Sequence, residues 1–390
     1  SKIQIGNIVQ VSLANKITWG IVYGFKHETN IAHTKLKPII SISSVPPIKS
    51  FNLKFLDRVS QYTMAPFGQV LRAMLCIQSA FKDDKSINYF SLSSSNKFET
   101  EKLSKSRKKI INWFQNNPIG TANTIIAETG VSKSTVNAMV KCGQLANNLA
   151  SSIQNEDVQS KLLSLRKVMQ SAKRLNLSSM QAEAALGINQ QSDKFSVVLL
   201  DGVTGSGKTE VYFELVKKKI LLGKQCLILL PEIALTSGWV NRFNKWFGFE
   251  PYIWHSGIKA SKKKLIWRDV NAGYPGVVVG ARSALFLPFA NLGAIIVDEE
   301  HDTGYKQEEQ FIYHARDMAI LRAKYSQCPI VLATATPSLE SWINKVSGRY
   351  HHIKLTNRYG DATMPAIETI NLTKYKPPSG KWISAPLISE

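Results

Sequence analysis

Eight residues, Gly202-Val203-Thr204-Gly205-Ser206-Gly207-Lys208-Thr209, have the spacing of a phosphate-binding loop. Glycines at the first, fourth and sixth positions reach backbone angles closed to other residues, so successive peptide N–H groups can converge on one anion. Lys208 would neutralise charge on the β- and γ-phosphates, and the Thr209 hydroxyl would ligate Mg²⁺. The implied chemistry is ATP binding. Further on, Ala294-Ile-Ile-Val-Asp298-Glu299-Glu300-His301 reads as an apolar strand with carboxylates at its end. Beside a phosphate loop, Asp298 would hold the metal through its water shell, and Glu299 would act as general base on an attacking water.

Three more segments end apolar runs with polar groups. Ala333-Thr334-Ala-Thr336-Pro337-Ser338 offers hydroxyls that can sense a γ-phosphate and relay its presence. Leu230-Pro231 to Thr236 and Gly280-Ala-Arg282-Ser283 supply Thr236, Arg282 and Ser283, donors of the kind that grip backbone phosphates. Tyr305-Lys306, Phe311, Tyr313 and Arg316 interleave aromatics with cations, as a stacking surface for unpaired bases would, with core packing as the alternative.

These residues need a frame. From Phe195 to Thr336 apolar strands alternate with amphipathic helices, with strands expected at 196–200, 225–230, 252–255, 276–279, 294–298 and 330–333. That order implies an α/β doubly wound parallel sheet, which places ligands at the carboxyl ends of its strands. The motifs fall there. Ile3 to Val22 alternates apolar and polar positions around Gly6, Gly20 and Gly24, the pattern of short strands of a small barrel, so residues 1 to about 50 read as β-rich, and 51–80 reads as two helices broken at Pro66-Phe-Gly68. A polar, Ser- and Lys-rich stretch from Asp84 to Ser106 reads as a boundary. Residues 110–145 then read as three helices, with Ser132 capping the last and Gly143 stopping it: a helix-turn-helix pattern, with an ordinary three-helix packing unit as the alternative. Residues 146–176 read as a helical connector.

Charge narrows the partner. The 390 residues carry 49 Lys and Arg against 28 Asp and Glu, a net charge of +21, which favours a polyanion through counterion release. No apolar run approaches the roughly 18 residues of a spanning helix, so no membrane partner is expected and cytoplasm is the expected compartment. Cys76, Cys142, Cys226 and Cys328 form no C-x-x-C pair and read as free, mostly buried thiols.

Taken together, G-V-T-G-S-G-K-T-E, P-E-I-A-L-T, R-S-A-L-F-x-P, D-E-E-H-D and Y-H-A-R-D stand in the order of a superfamily 2 helicase. The chain resembles the primosomal protein N′ (PriA) family of replication-restart helicases. That resemblance implies a RecA-like lobe preceded by a small β-rich domain and a winged helix. Its domains would run 1–85 (β-rich, for the 3′ end of DNA), 106–150 (winged helix), 175–345 (helicase lobe 1) and 346–390 (start of a connection to a second lobe). It implies ATP-driven 3′ to 5′ unwinding of forked or single-stranded DNA, primosome proteins and single-strand-binding protein as partners, and ATP with Mg²⁺ as cofactors. Carried over by position, Lys37 would contact phosphate, Gln181 would recognise adenine, and 305–316 would be an aromatic-rich loop. A glycine of the family's 3′-end pocket is Ala14 here, and the residues expected before Ile3 are absent.

The second lobe, its arginine finger and its paired C-x-x-C zinc sites have no counterpart before Glu390, so the chain reads as a fragment without zinc. Such an arginine is worth roughly 10³ to 10⁵ in rate, so the fragment alone would hydrolyse ATP poorly. Two other readings stand beside this one. The first is a short paralogue that binds nucleotide and branched DNA without unwinding it. The second is the motor subunit of a restriction or repair complex, which leaves D-E-E-H-D, Y-H-A-R-D and the β-rich front unexplained.

Overall fold

The computed structural model describes residues 3–26, 28–82, 87–93, 104–117, 120–150, 158–172, 176–231, 237–359 and 368–389. At the front, β1 (Ile8–Leu13) and β2 (Lys16–Ile21) form an antiparallel pair closed by Ala14 and Asn15. Both turn residues have positive φ, 46° and 61°, the primed-turn geometry that favours glycine and asparagine. Asn15 suits it. Ala14 occupies left-handed backbone at the position where the family resemblance expects glycine. β3 (Ile39–Ile42) pairs with the other edge of β1. The two expected helices follow as α1 (Ser50–Thr63) and α2 (Phe67–Met74), with Pro66 at the N-cap of α2.

The boundary expected at Asp84–Ser106 is corrected in part. β4 (Ile87–Leu92) falls inside it and belongs to the next unit, pairing antiparallel with β5 (Gly120–Thr121) and β6 (Leu145–Ala150). Residues 94–103 lie outside the described ones. The three expected helices are α3 (Lys105–Asn116), α4 (Ala122–Thr129) and α5 (Lys133–Lys141). Gly130 ends α4 in left-handed backbone, and Ser132 caps α5 by accepting the Thr135 N–H, which satisfies one otherwise orphaned donor. Phe90, Ile110, Ile125, Val136 and Leu145 close a small core between helices and strands. The connector contributes α6 (Val158–Ser171).

α7 (Ser179–Gln190) opens the large unit. Its strands are β7 (Val197–Gly202), β8 (Gln225–Leu229), β9 (Tyr252–Trp254), β10 (Gly276–Gly280) and β11 (Leu292–Asp298), then, past the short hairpin β12 (Lys306–Gln307) and β13 (Tyr313–His314), β14 (Ile330–Thr334) and β15 (His351–Leu355). Helices α8 (Lys208–Leu221), α9 (Ser237–Phe247), α10 (Ala260–Ala272), α11 (Ala315–Ser326) and α12 (Leu339–Val346) connect them. A one-turn α13 (Ala385–Ser389) lies near the end of the chain. The sheet is all parallel, in the order β15-β7-β14-β11-β8-β10-β9. All six expected strands are present. β15 is a seventh, pairing with β7 where the sequence reads as the start of an interlobe connection.

Alternate residues of each strand serve opposite faces, as the period of two requires. Val198, Leu200, Ile228, Ile296 and Val331 pack on Phe213, Phe243 and Phe247 of α8 and α9. Leu199, Leu229, Ile295, Val297 and Leu332 face the other way, in a cluster that continues without a break into Leu53, Phe55, Leu56 and Met74 of α1 and α2. Polar groups seal that seam. Arg322, 1% exposed, donates to Asn52 Oδ1 at 2.7 Å and to the Leu285 and Leu287 carbonyls, with its guanidinium over the rings of Phe55 and Phe289. Trp267 Nε1 donates to the Met74 carbonyl. Of the thiols expected to be mostly buried, Cys226 and Cys328 are, whereas Cys76 and Cys142 are exposed. Among the described residues no helix is long and apolar enough to cross a membrane.

Candidate nucleotide and nucleic-acid site

β7 delivers Gly202, and α8 starts at Lys208, so the loop between them is the strand-to-helix turn that a phosphate site requires. Gly205 and Gly207 have φ of 80° and 82°. A Cβ on Gly207 would stand 2.1 Å from Gln181 Nε2, so only glycine fits. Val203, Thr204 and Gly205 are exposed. Lys208, nearly buried, donates from Nζ to the Gly202 carbonyl at 2.9 Å. Ser206 Oγ is buried without a hydrogen-bond partner. Thr209 follows, half-buried on the first turn of α8. A helix N-terminus, an ammonium and an orphaned hydroxyl fit the phosphate chain of a nucleoside triphosphate.

Gln181 lies against this loop. Its Oε1 accepts from the Ser178 N–H in a capping box, and its Nε2 donates to the Ser206 carbonyl at 2.9 Å.

The strand order puts the end of β11 two places from β7, across β14. Asp298 accepts the Tyr212 hydroxyl at 2.9 Å on Oδ2 and the Glu299 N–H at 3.1 Å on Oδ1. Burial pushes its carboxyl up from 3.8 to about 6; the Tyr212 hydrogen bond opposes the rise, Glu299 adds to it, and Lys208 opposes it. A nearby divalent cation would reverse that preference for the neutral form. Asp298 and Thr209 supply hard oxygen donors suited to Mg²⁺. The described residues hold no cluster of three or more His, Cys, Asp or Glu side chains around one point, so phosphate oxygens and water would have to complete an octahedral shell. Glu299 is half-buried with φ of 48°, left-handed backbone of the kind found at functional sites.

Behind these residues runs a polar network that the sequence reading did not assign. His301 Nδ1 is 2.6 Å from Thr334 Oγ1, which also accepts the Thr336 N–H. Glu300, fully buried, accepts from the Ser338 N–H and hydroxyl, the Ser341 hydroxyl and Arg316 Nη1, all between 2.8 and 3.1 Å. Motif residues at the ends of β11 and β14 are thereby tied together. Tyr212 stands one helical turn after Lys208, a spacing visible in sequence, but its partner Asp298 is 86 residues away and no local pattern announces it.

The expectation of an exposed stacking surface at 305–316 is corrected. Tyr305 is 1% exposed, and its hydroxyl lies 2.6 Å from the Asp298 carbonyl and 3.0 Å from that of Leu229. Phe311 and Tyr313 stack on each other at 5.1 Å and meet Phe286 edge-on, both nearly buried. Arg316 is buried among Glu300, Asp317 and Ser338. Of the remaining expected nucleic-acid contacts, Lys306, Ser283 and Lys37 are exposed, and Arg282 is half-buried with Nη1 donating to the Lys306 carbonyl. Lys306 pairs with Glu308 at 2.8 Å. Thr334 is buried and Thr336 exposed. Thr236 lies outside the described residues.

Family models fall on the two units in turn. Residues 178–344 match the DEAD/DEAH box helicase model, and residues 1–76 match the 3′ DNA-binding domain model of PriA. The replication restart protein PriA of Haemophilus influenzae is 33% identical over 99% of this chain and 53% of its own length. Over nearly its whole length the chain is similar to PriA replication restart proteins. The PriA of Rickettsia felis is 46% identical over 55% of this chain and 32% of its own. The chain thus spans between about a third and a half of these relatives. Among solved structures, RecG bound to a three-way DNA junction aligns over 52% of this chain and 26% of its own, at 21% identity and a TM-score of 0.39.

Proposed function

We propose that this chain forms the nucleotide-binding and DNA-contacting part of an ATP-dependent 3′ to 5′ helicase. It would act on forked or branched DNA in replication restart and promote primosome assembly. Support comes from the PriA relatives, from the family models and from the geometry of the nucleotide site. One observation carries the motor reading: Tyr212, on the helix that begins with Lys208 and Thr209, holds the Asp298 carboxylate at the end of a separate strand. The helix that carries the phosphate-loop lysine is therefore hydrogen-bonded to the acidic motif.

In this reading Lys208 exchanges the Gly202 carbonyl for phosphate oxygens, and the Gly205, Gly207 and Lys208 N–H groups orient the phosphate chain. Bound Mg²⁺ supplies charge neutralisation between the phosphates. Thr209 and Asp298 would hold it, the latter through water. Glu299 takes the proton of the attacking water. Gln181, buried with its amide held by the Ser178 N–H and the Ser206 carbonyl, would have to release Ser206 to recognise adenine. His301 and Glu300 pass any displacement of the acidic motif to Thr334, Thr336 and Ser338. Ser283, Lys306, Arg282, Thr236 and Lys37 contact the DNA backbone.

The Glu299→Gln variant of the intact protein tests the assignment. DNA-stimulated hydrolysis should fall by about 10² to 10⁴, the range of a general base, with affinity for a fluorescent ATP analogue unchanged. Wild-type turnover in that variant would remove Glu299 from the chemistry.

A further inference from the structure

Directly after Thr209 stands Glu210, an acid in the first turn of α8. A carboxylate at a helix N-terminus complements the macrodipole while no ligand is bound. It opposes a triphosphate, because the same N-terminus is where the phosphates would sit. Glu210 is held close to that place. Its side chain is 13% exposed, and Oε2 lies 3.3 Å from the point that a Cβ on Gly207 would occupy. A phosphate loop with a fixed anion against its wall needs a counterion, and Lys208 is the cation that must serve the phosphates themselves.

The counterion comes from α9. Arg242 Nε and Nη2 each donate to one oxygen of the Glu210 carboxylate at 2.5 Å, the forked geometry of a guanidinium on a carboxylate. Aromatic packing sets the guanidinium there. Phe213, one turn beyond Glu210, meets the rings of Trp239, Phe243, Trp246 and Phe247 on α9. Arg242 precedes the fully buried Phe243, so the seating of that ring fixes where the arginine leaves the helix. Arg242 is itself 44% exposed, and exposed ion pairs add little to stability. What the pair changes is the charge that an incoming anion meets.

We propose that Arg242 is a positioning residue of the nucleotide site: by holding Glu210 neutralised, it sets the affinity of the loop for a triphosphate that it does not itself touch. The inference rests on the ATP-binding reading above and adds to it a residue that lies outside the motifs.

Binding of a fluorescent ATP analogue with Mg²⁺ to the intact protein, measured across a two-residue cycle, tests this. Arg242→Gln leaves the Glu210 charge facing the phosphates and should weaken binding about tenfold, a modest value for a partly screened like charge. Glu210→Gln should bind as wild type does or more tightly. Combining the two should return affinity to within about twofold of wild type, because the charge that Arg242 offsets is gone. In about 1 M salt, where the screening length is near 3 Å, the loss in Arg242→Gln alone should shrink to less than about threefold. A pair that served only packing would show neither the rescue nor the salt dependence. A double variant as weak as Arg242→Gln, or an Arg242→Gln variant that binds as wild type does, overturns the proposal and leaves the ATP-binding reading standing. If wild type itself does not bind the analogue, that reading fails and the role of Arg242 with it.

Discussion

The phosphate loop and the segment from Tyr305 to Arg316 lie at the same end of the sheet, and their polar groups are treated in opposite ways. In the loop, Ser206 Oγ is buried without a partner, Val203 to Gly205 are exposed, and Lys208 rests on a neutral carbonyl. In the segment, Tyr305 spans two strand-end carbonyls and Arg316 has four side-chain partners, Glu300, Asp317, Ser338 and Glu340. A group that must bind a ligand is left under-satisfied, whereas one that must hold a framework is saturated. Residue type alone does not separate the two, since lysine, arginine and tyrosine serve either purpose.

Substitutions can break that contrast. The largest effect is the kinetic one at Glu299 given above. Next, Arg316→Ala removes the ion-pair partner of the buried Glu300, so chemical denaturation should show a loss of about 3–5 kcal/mol. A loss of DNA affinity with unchanged stability would instead place Arg316 on the DNA surface.

Asp298 sharpens the open side of the comparison through pH. Folded, it keeps its proton up to about pH 6, whereas the free carboxyl loses it near 3.8. The folded state binds more protons in that interval, so its stability falls as pH rises from about 4 through 6. Without nucleotide or Mg²⁺, Asp298→Asn should be more stable than wild type by about 3 kcal/mol at pH 7.5 and nearly equal at pH 4, measured by urea titration. A variant less stable at pH 7.5 would contradict the raised carboxyl. The smallest effect is Tyr305→Phe, which removes one hydroxyl from two carbonyls and should cost about 1–2 kcal/mol. DNA affinity should hold; a drop there without lost stability would restore the stacking surface.

Much of this was legible in the sequence because it depends on local chemistry. The β7 turn needs glycines at Gly205 and Gly207, the parallel strands are continuous apolar runs, and Ser132 is a cap by type and position. What stayed hidden depends on partners far along the chain. Whether Tyr305 faces solvent is decided by the carbonyls of Asp298 and Leu229, and no periodicity in a twelve-residue loop reports that. β15 was missed because His351-His-Ile-Lys-Leu355 is short and half polar, as befits the edge strand beside β7. β4 was missed because its one serine, Ser91, leads into the run Ser93 to Ser95, which reads as linker.

The apolar cluster that runs from the sheet into α1 and α2, sealed by Arg322, bears on how the molecule can be taken apart. The unit that matches a DNA-binding domain and the unit that matches a helicase share one interior. A shortened chain beginning at the connector would carry Leu285, Phe286 and Phe289 uncovered and Arg322 without Asn52. Loss of function after such a deletion would report a damaged motor as readily as a missing DNA contact. Point changes on exposed Lys37, rather than removal of its domain, can separate the two.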